Sequence, residues 1–199
     1  QSVSGQQNLA ITATSSLTAT GFNGAVSYTV QPALPAGLTL NSSTGSISGT
    51  PTGALPQQAF IITATGATSG LASTTVNILV TGLTPGTQNL QGSAGQSIAA
   101  STPFTAVGFA GAVSYAISPA VPAGLSFSSS TGVISGIPTS GQASTSYTVT
   151  ATGATSGNAT VTIALQVAAV APATVSATAT YGSAMTPTSS FTPTGFAGA

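Results

Sequence analysis

The sequence predicts an all-β chain made of tandem β-sandwich modules with an 87-residue period. Three observations carry this: a long internal repeat without insertions, apolar residues alternating at period two, and turn-forming residues between the alternating stretches. The repeat is anchored by Gly21-Phe22, Gly108-Phe109 and Gly195-Phe196, each 87 residues from the last. Between Gly21 and Val80 the copy runs to Val167 without a gap, and Ala64 to Gly70 returns unchanged as Ala151 to Gly157. A period this long describes a whole domain, because solenoid rungs repeat at roughly 20–50 residues.

The alternation is that of strands with one apolar and one hydroxyl face. Val26, Tyr28 and Val30 share a face, as do Leu38 and Leu40; Phe60, Ile62 and Ala64; and Val76, Ile78 and Val80. The second copy repeats the pattern with Val113, Tyr115 and Ile117; Leu125 and Phe127; Tyr147 and Val149; and Ile163, Leu165 and Val167. Pro35-Ala36-Gly37, Ser43-Thr44-Gly45, Gly49-Thr50-Pro51 and Ser69-Gly70 supply the breaks. No stretch keeps a 3.6-residue apolar period, and Thr, Ser, Val and Gly are poor helix formers. Chains this rich in Ser, Thr and Gly often stay disordered, but apolar positions recurring in register in two copies argue for a packed core.

The expected organisation is a module over 1–80, a linker over 81–87, a second module over 88–167, a linker over 168–174, and an incomplete third module over 175–199 that holds early strands only. Pro85 and Pro172 mark equivalent places in the two linkers. Val175, Ala177 and Ala179 read as an early strand, followed by Tyr181, Met185, Phe191 and Phe196. Alone, that stretch has nothing to bury its apolar side against. Either the chain is a window on a longer array, or a neighbouring subunit completes the third module by strand addition. Early strands of the first module's own, around residues 2–14, favour the window.

Composition narrows function sharply. The 199 residues include no Lys, Arg, Asp, Glu, His or Cys. General acid–base catalysis and activated nucleophiles need such groups, so no enzyme and no catalytic residue is expected. Metal sites draw on thiolate, imidazole or carboxylate ligands, so no metal or cofactor is expected either. Without cations to neutralise phosphate, nucleic acid is not a partner. No apolar run is long enough to form a membrane-spanning helix, and Gln1 fits a mature chain with no charged leader. Proteases that cut at Lys, Glu or Asp have no sites. Uncharged chains lack the repulsion that keeps soluble proteins apart, which points outside the cell and toward assembly.

A family resemblance rests on Leu34-Pro35-Ala36-Gly37-Leu38-Thr39-Leu40 followed by Ser42 to Pro51 (SSTGSISGTP), and on Val121-Pro122-Ala123-Gly124-Leu125-Ser126-Phe127 followed by Ser129 to Pro138 (SSTGVISGIP). These resemble the signature of the bacterial "putative Ig" repeat, an immunoglobulin-like family related to cadherin-like modules. The resemblance covers both full periods. It implies tandem Ig-like/cadherin-like sandwiches of the kind found in adhesins, surface layers and cell walls, and as spacers beside secreted enzymes. Family members often carry an acidic residue after the Thr-Ala-Thr stretch, where Gly66 and Gly153 stand here.

Individual residues add little that is chemical. Tyr28 and Tyr115 lie mid-strand on the apolar face and read as core, not as a sugar platform, and the chain has no Trp. Phe22 and Phe109 read as plugs at one end of each sandwich. Asn41-Ser42-Ser43 and Asn158-Ala159-Thr160 match the N-glycosylation pattern but fall at different points of the repeat; exposed Ser and Thr are further candidates for glycosylation. Thr12-Ala13-Thr14, Thr63-Ala64-Thr65 and Thr178-Ala179-Thr180 form no regular ladder, and sheet twist works against a flat Thr array. The expectation is therefore a self-associating structural component of an extracellular filament, sheath or surface stalk. The alternative is a spacer in a large cell-surface adhesin or secreted enzyme.

Overall fold

A computed structural model describes residues 1–171, 174–185 and 187–195; Pro172, Phe196 and Ala199, used above, lie outside the described residues. Every regular element among the described residues is a strand. The first repeat supplies β1 (Ser2–Gln6), β2 (Val26–Gln31), β3 (Leu38–Leu40), β4 (Ile47–Gly49), β5 (Leu55–Gly66) and β6 (Leu71–Thr84). The second supplies β7 (Gln88–Ser93), β8 (Thr105–Val107), β9 (Val113–Ser118), β10 (Leu125–Phe127), β11 (Ile134–Gly136), β12 (Gln142–Gly153) and β13 (Asn158–Ala171), and β14 (Thr192–Thr194) follows. The all-β, 87-residue tandem architecture expected from the sequence is thus the observed one.

The chain forms two compact units. The first comprises Gln1–Thr84, Thr105–Ser114 and Ala151–Thr160; the second comprises Pro85–Phe104, Tyr115–Thr150 and Val161–Ala199. In the first unit the main sheet runs β1-β6-β5-β2. Strands β6 and β5 are antiparallel neighbours, whereas β1 lies parallel to β6, with Ser2 opposite Asn77 and Gln6 opposite Thr81. The opposing layer is the β3–β4 hairpin together with an irregular stretch of chain that follows β1. That chain has no ladder of its own, but its N–H groups are spent on the hairpin: Ile11 donates to Gly49 O, Thr14 to Ile47 O and Leu17 to Thr44 O. Pairing of this kind is obligatory where backbone is buried.

Between the layers the alternating residues meet. Tyr28, Leu38, Ile47, Phe60, Ile62, Val76, Ile78 and Val80 are buried together, with Ile11 and Leu17 against them. Each such side chain contributes on the order of 1.5–3 kcal/mol by leaving water. The second unit repeats the scheme with Leu90, Ile98, Phe104, Tyr115, Ile134, Tyr147, Val149, Ile163, Leu165 and Val167 buried. There β7 runs parallel to β13, and Ile98, Ser101 and Phe104 donate to Gly136, Ile134 and Thr131 carbonyls.

Two differences from the sequence reading have physical causes. First, β6 and β13 are 14-residue strands that run on to Thr84 and Ala171, through residues read as the beginnings of linkers. Second, Val175, Ala177 and Ala179 belong to no strand, and the stretch 174–181 is almost entirely exposed. In both complete copies the corresponding strand, β1 or β7, is held by the final strand of its own copy. Residues 175–180 have no such partner among the described residues. Intrinsic β propensity without a partner does not make a strand.

The copies also reveal a reciprocal fit beside the final strand. A methyl group on Gly82 would come 2.6 Å from Ala54 Cβ and 2.5 Å from Gln7 Oε1, and one on Gly141 would come 2.6 Å from Ala169 Cβ. Positions 54 and 141 are equivalent, as are 82 and 169. Each copy therefore accommodates one methyl at this contact, on opposite partners. Gly82→Ala should destabilise the chain by about 1–3 kcal/mol through overpacking. Adding Ala54→Gly should recover part of that loss, so urea unfolding of the two single variants and the double variant should give a non-additive cycle; additive losses would reject the contact.

Candidate interaction surface

The final strand of the first repeat does not end at its own sheet. Its last three residues pair antiparallel with β8, placing Gly82 opposite Val107, Leu83 opposite Ala106 and Thr84 opposite Thr105. The same arrangement recurs one period on. Ala169, Val170 and Ala171 at the end of β13 lie opposite Thr194, Pro193 and Thr192 of β14. Pro193 has no N–H, so the ladder's bonds must run through the outer residues, Thr192 and Thr194. By the repeat, Thr105 and Val107 take those roles on β6.

A glycine follows each clamp. Gly108 has φ +79°, and a Cβ there would sit 3.1 Å from Val80 O and 3.3 Å from Thr81 Cα. Gly195 has φ +74°, and a Cβ there would overlap the carbonyl of Val167, the residue equivalent to Val80. The backbone of a final strand thus passes where a side chain would stand, on top of a left-handed conformation that already favours glycine. In the first unit Thr81 adds a side-chain tie: its hydroxyl is 2.7 Å from Asn158 O. Leu83 is buried at this clamp, whereas Val170 is 43% exposed at the next.

Thr18-Ala19-Thr20, equivalent to β8 and β14, belongs to no strand. A Cβ on Gly21, which has φ +78°, would meet nothing within 4 Å. Beside this segment lies a cleft of about 310 Å³, lined by Leu17, Thr18, Thr20, Phe22, Tyr28 and Ala72 among others.

The residues singled out from the sequence have mostly structural roles. Tyr28 and Tyr115 are buried, and their hydroxyls donate to Leu17 O at 2.9 Å and Phe104 O at 3.0 Å. Each therefore pins the chain just ahead of the clamp segment. The Tyr115 ring also stacks on Phe104 at 6.2 Å, and burial raises the pKa of its phenol. Phe22 and Phe109 lie against Gly70 and Gly157, where a Cβ would come 2.6 and 2.9 Å from the ring. Asn41 is exposed, and its Oδ1 accepts from the Ser43 and Thr44 N–H groups, closing the turn before β4. Asn158 is exposed at the start of β13, and its carbonyl is the acceptor for Thr81.

Two functional groups went unread in the sequence. Thr14 Oγ1 and Ser101 Oγ each accept a 2.8 Å bond from the N–H of the first residue of the hairpin's second strand, Ile47 and Ile134. The signal was present: the hydroxyl is retained across one period while the residue type changes.

The chain belongs to the family described as Putative Ig domain, whose model matches residues 1–81 and again 79–168. It is a tandem array of immunoglobulin-like modules. No curated protein sequence matches it. Similar solved structures include Drosophila N-cadherin EC1-3, at 14% identity over 83% of this chain and 63% of that one, with a TM-score of 0.38. Mouse cadherin-23 EC22-24 is 15% identical over 83% of this chain and 61% of that one, with a TM-score of 0.35. Mouse clustered protocadherin PcdhgC3 EC1-3 is 16% identical over 71% of this chain and 55% of that one, with a TM-score of 0.33. The chain spans about half to two-thirds of the length of these cadherin fragments, and at such scores they carry no argument about function.

Two outcomes are expected for stability. Ser101→Ala strands the buried Ile134 N–H and should cost about 1–3 kcal/mol in chemical unfolding. With no acidic, basic or thiol side chain to titrate, unfolding free energy should stay level from about pH 5 to 9. Because the Tyr115 pKa is raised on folding, its contribution is complete below the phenol's ordinary value of about 10 and is lost as pH rises through the folded value. Denaturant midpoints measured across pH should therefore fall only on the alkaline side, and Tyr115→Phe should flatten that fall.

Proposed function

We propose that the chain is a structural component of an extracellular filament, sheath or surface stalk, built from uncharged Ig-like modules that self-associate. The observation that carries this is the twice-repeated continuation of a final strand into pairing with residues of the next repeat. The strand that closes the main sheet through residues 71–81 continues over 82–84 into pairing with β8. Such continuity suits extension and spacing.

Self-association is supported by what the surface carries. The sheet edges at β2 and β9 have no Lys or other charge, the usual device against edge-to-edge pairing. Leu71 is 75% exposed, and Ile61, Ile137, Met185 and Phe191 are also exposed. Neither long-range repulsion nor a charged rim opposes contact between chains. The work is mechanical: no side chain in the sequence can act as a carboxylate, imidazole, amine or thiol catalyst. Exposed Asn41 and Asn158 and the hydroxyl faces are the places where glycans would attach. The module boundaries proposed are 1–80 and 88–167, with 175–199 beginning a third.

Electron microscopy and sedimentation of the full chain test the reading. Uniform fibres are expected, forming equally at low salt and in about 1 M salt, where charge interactions would be screened to about 3 Å. Monomeric rods at every concentration would overturn the filament and leave a spacer within a larger adhesin or secreted enzyme.

A further inference from the structure

We propose that Asn23 is a modification site: in the folded chain its side-chain amide is lost by reaction with the backbone nitrogen of Gly24, leaving aspartate or isoaspartate. The co-reactant is water, and no enzyme takes part. The inference stands apart from the self-association reading. It assigns a place where a chain without acidic side chains acquires a carboxylate.

Three independent features lead to this site. The first is the dipeptide. Of the asparagines at 8, 23, 41, 77, 89 and 158, only Asn23 precedes a glycine. Any other following residue carries a Cβ that crowds the approach of its own nitrogen. The second is access. Asn23 and Gly24 are both exposed, ahead of β2. Among the described residues the Gly24 N–H has no acceptor, and the Asn23 amide is tied by an exposed bond from Nδ2 to Ser69 Oγ at 3.1 Å. Water replaces such a bond with little loss, so the side chain is free to turn toward the nitrogen. Asn41 Oδ1, by contrast, is held by the Ser43 and Thr44 N–H groups, and Asn77, Asn89 and Asn158 stand in β6, β7 and β13. The third is the repeat. Gly24 has φ +81°, and a Cβ there would lie 3.1 Å from Ala67 Cβ and 3.2 Å from Thr68 Oγ1; Gly111, at φ +79°, is confined in the same way. The fold demands the glycine but not the asparagine. Ala110 takes that place in the second repeat and keeps the same backbone bonds, to Ser156 O and from Thr155 N–H, that Asn23 makes with Ser69 and Thr68. Ala110 and Gly111 are exposed too, just beyond β8 and its partner β6, so the exposure belongs to the repeat.

The step balances with water alone. Gly24 N, on losing its proton, attacks Asn23 Cγ. A bond forms between them, the Cγ–Nδ2 bond breaks, and ammonia leaves with that proton. Water then opens the cyclic imide at Cγ, giving aspartate, or at the main-chain carbon, giving isoaspartate. Either product carries an ionised carboxylate at neutral pH. Aspartate keeps the Ser69 contact by accepting from its hydroxyl. Isoaspartate adds a methylene to the main chain and displaces the Asn23 carbonyl, which accepts from the Thr68 N–H at 3.1 Å. That loosens the corner where Phe22 packs on Gly70.

The absence of acidic residues permits a direct test in the full chain. The folded chain is aged at mildly alkaline pH in heavy-oxygen water and followed by anion exchange and mass spectrometry. An acidic species carrying one heavy oxygen at residue 23 should accumulate, faster as hydroxide rises. A protease that cuts before aspartate finds no site in the fresh chain and should cut the aged chain once, before residue 23. An isoaspartyl methyltransferase should label the remainder of the product. Conversion at Asn23 should exceed that at Asn41 by about tenfold. Asn23→Ala should remove the acidic species, and Ala110→Asn should add a second site of the same kind in the second repeat. Fibre formation enters none of these readouts, so loss of the filament reading leaves the site standing. The proposal is overturned if the folded chain keeps Asn23 while the urea-unfolded chain loses it, if Asn41 converts as fast, if the Asn23→Ala chain gains the acidic species at the unchanged rate, or if Ala110→Asn adds no site.

Discussion

The backbone hydrogen bond is the one strong polar interaction this chain has at its disposal. With no charged side chain, neither ion pairs nor charge-assisted bonds between side chains can fix one element against another, so specificity falls to strand register and to hydroxyls that imitate backbone groups. The consequences run through the fold. Irregular chain over the sandwich's second layer is held by N–H groups of Ile11, Thr14 and Leu17 on the hairpin. Thr14 and Ser101 supply acceptors where the hairpin's own ladder runs out. The Tyr28 and Tyr115 hydroxyls donate to the carbonyls of Leu17 and Phe104. A buried polar group left unpaired costs more than a typical bond gains, and among the described residues no buried side-chain polar atom lacks a partner.

Much of this was legible in the sequence. The period, the alternation on β2, β5 and β6, and the turn residues identify the modules because burial of one strand face imposes a two-residue rhythm. The segments that clamp the final strands were not legible. Thr105-Ala106-Val107 and Thr192-Pro193-Thr194 carry no alternating apolar pattern, since they take strand form from a partner some way off along the chain. The reverse error occurred at Val175, Ala177 and Ala179, which have the composition of a strand and, among the described residues, no partner. The recurring Gly21, Gly108 and Gly195 were visible as an anchor of the repeat. What they make room for depends on a backbone contact that no single residue announces.

The two copies are not identical in packing, and the differences are local. Phe104 stands where the first copy has Leu17; Phe104 is buried, whereas Leu17 is partly exposed and borders the cleft. The exchange of Ala54 and Gly82 for Gly141 and Ala169 conserves volume while reversing which partner carries the methyl. Interiors tolerate such swaps when the total is kept. The backbone scheme therefore persists while side chains drift around it.

A 14-residue final strand that serves two repeats also alters what counts as a folding unit. Residues 105–114 and 151–160 cluster with the first repeat although they belong by sequence to the second. The period of the sequence and the boundary of the compact units are thus out of phase. In arrays whose stability is a sum of intrinsic and nearest-neighbour terms, interior members gain from two neighbours and terminal members from one. Melting of the first repeat would remove the partner of β8, so length itself would become a source of stability and fraying would concentrate at the ends.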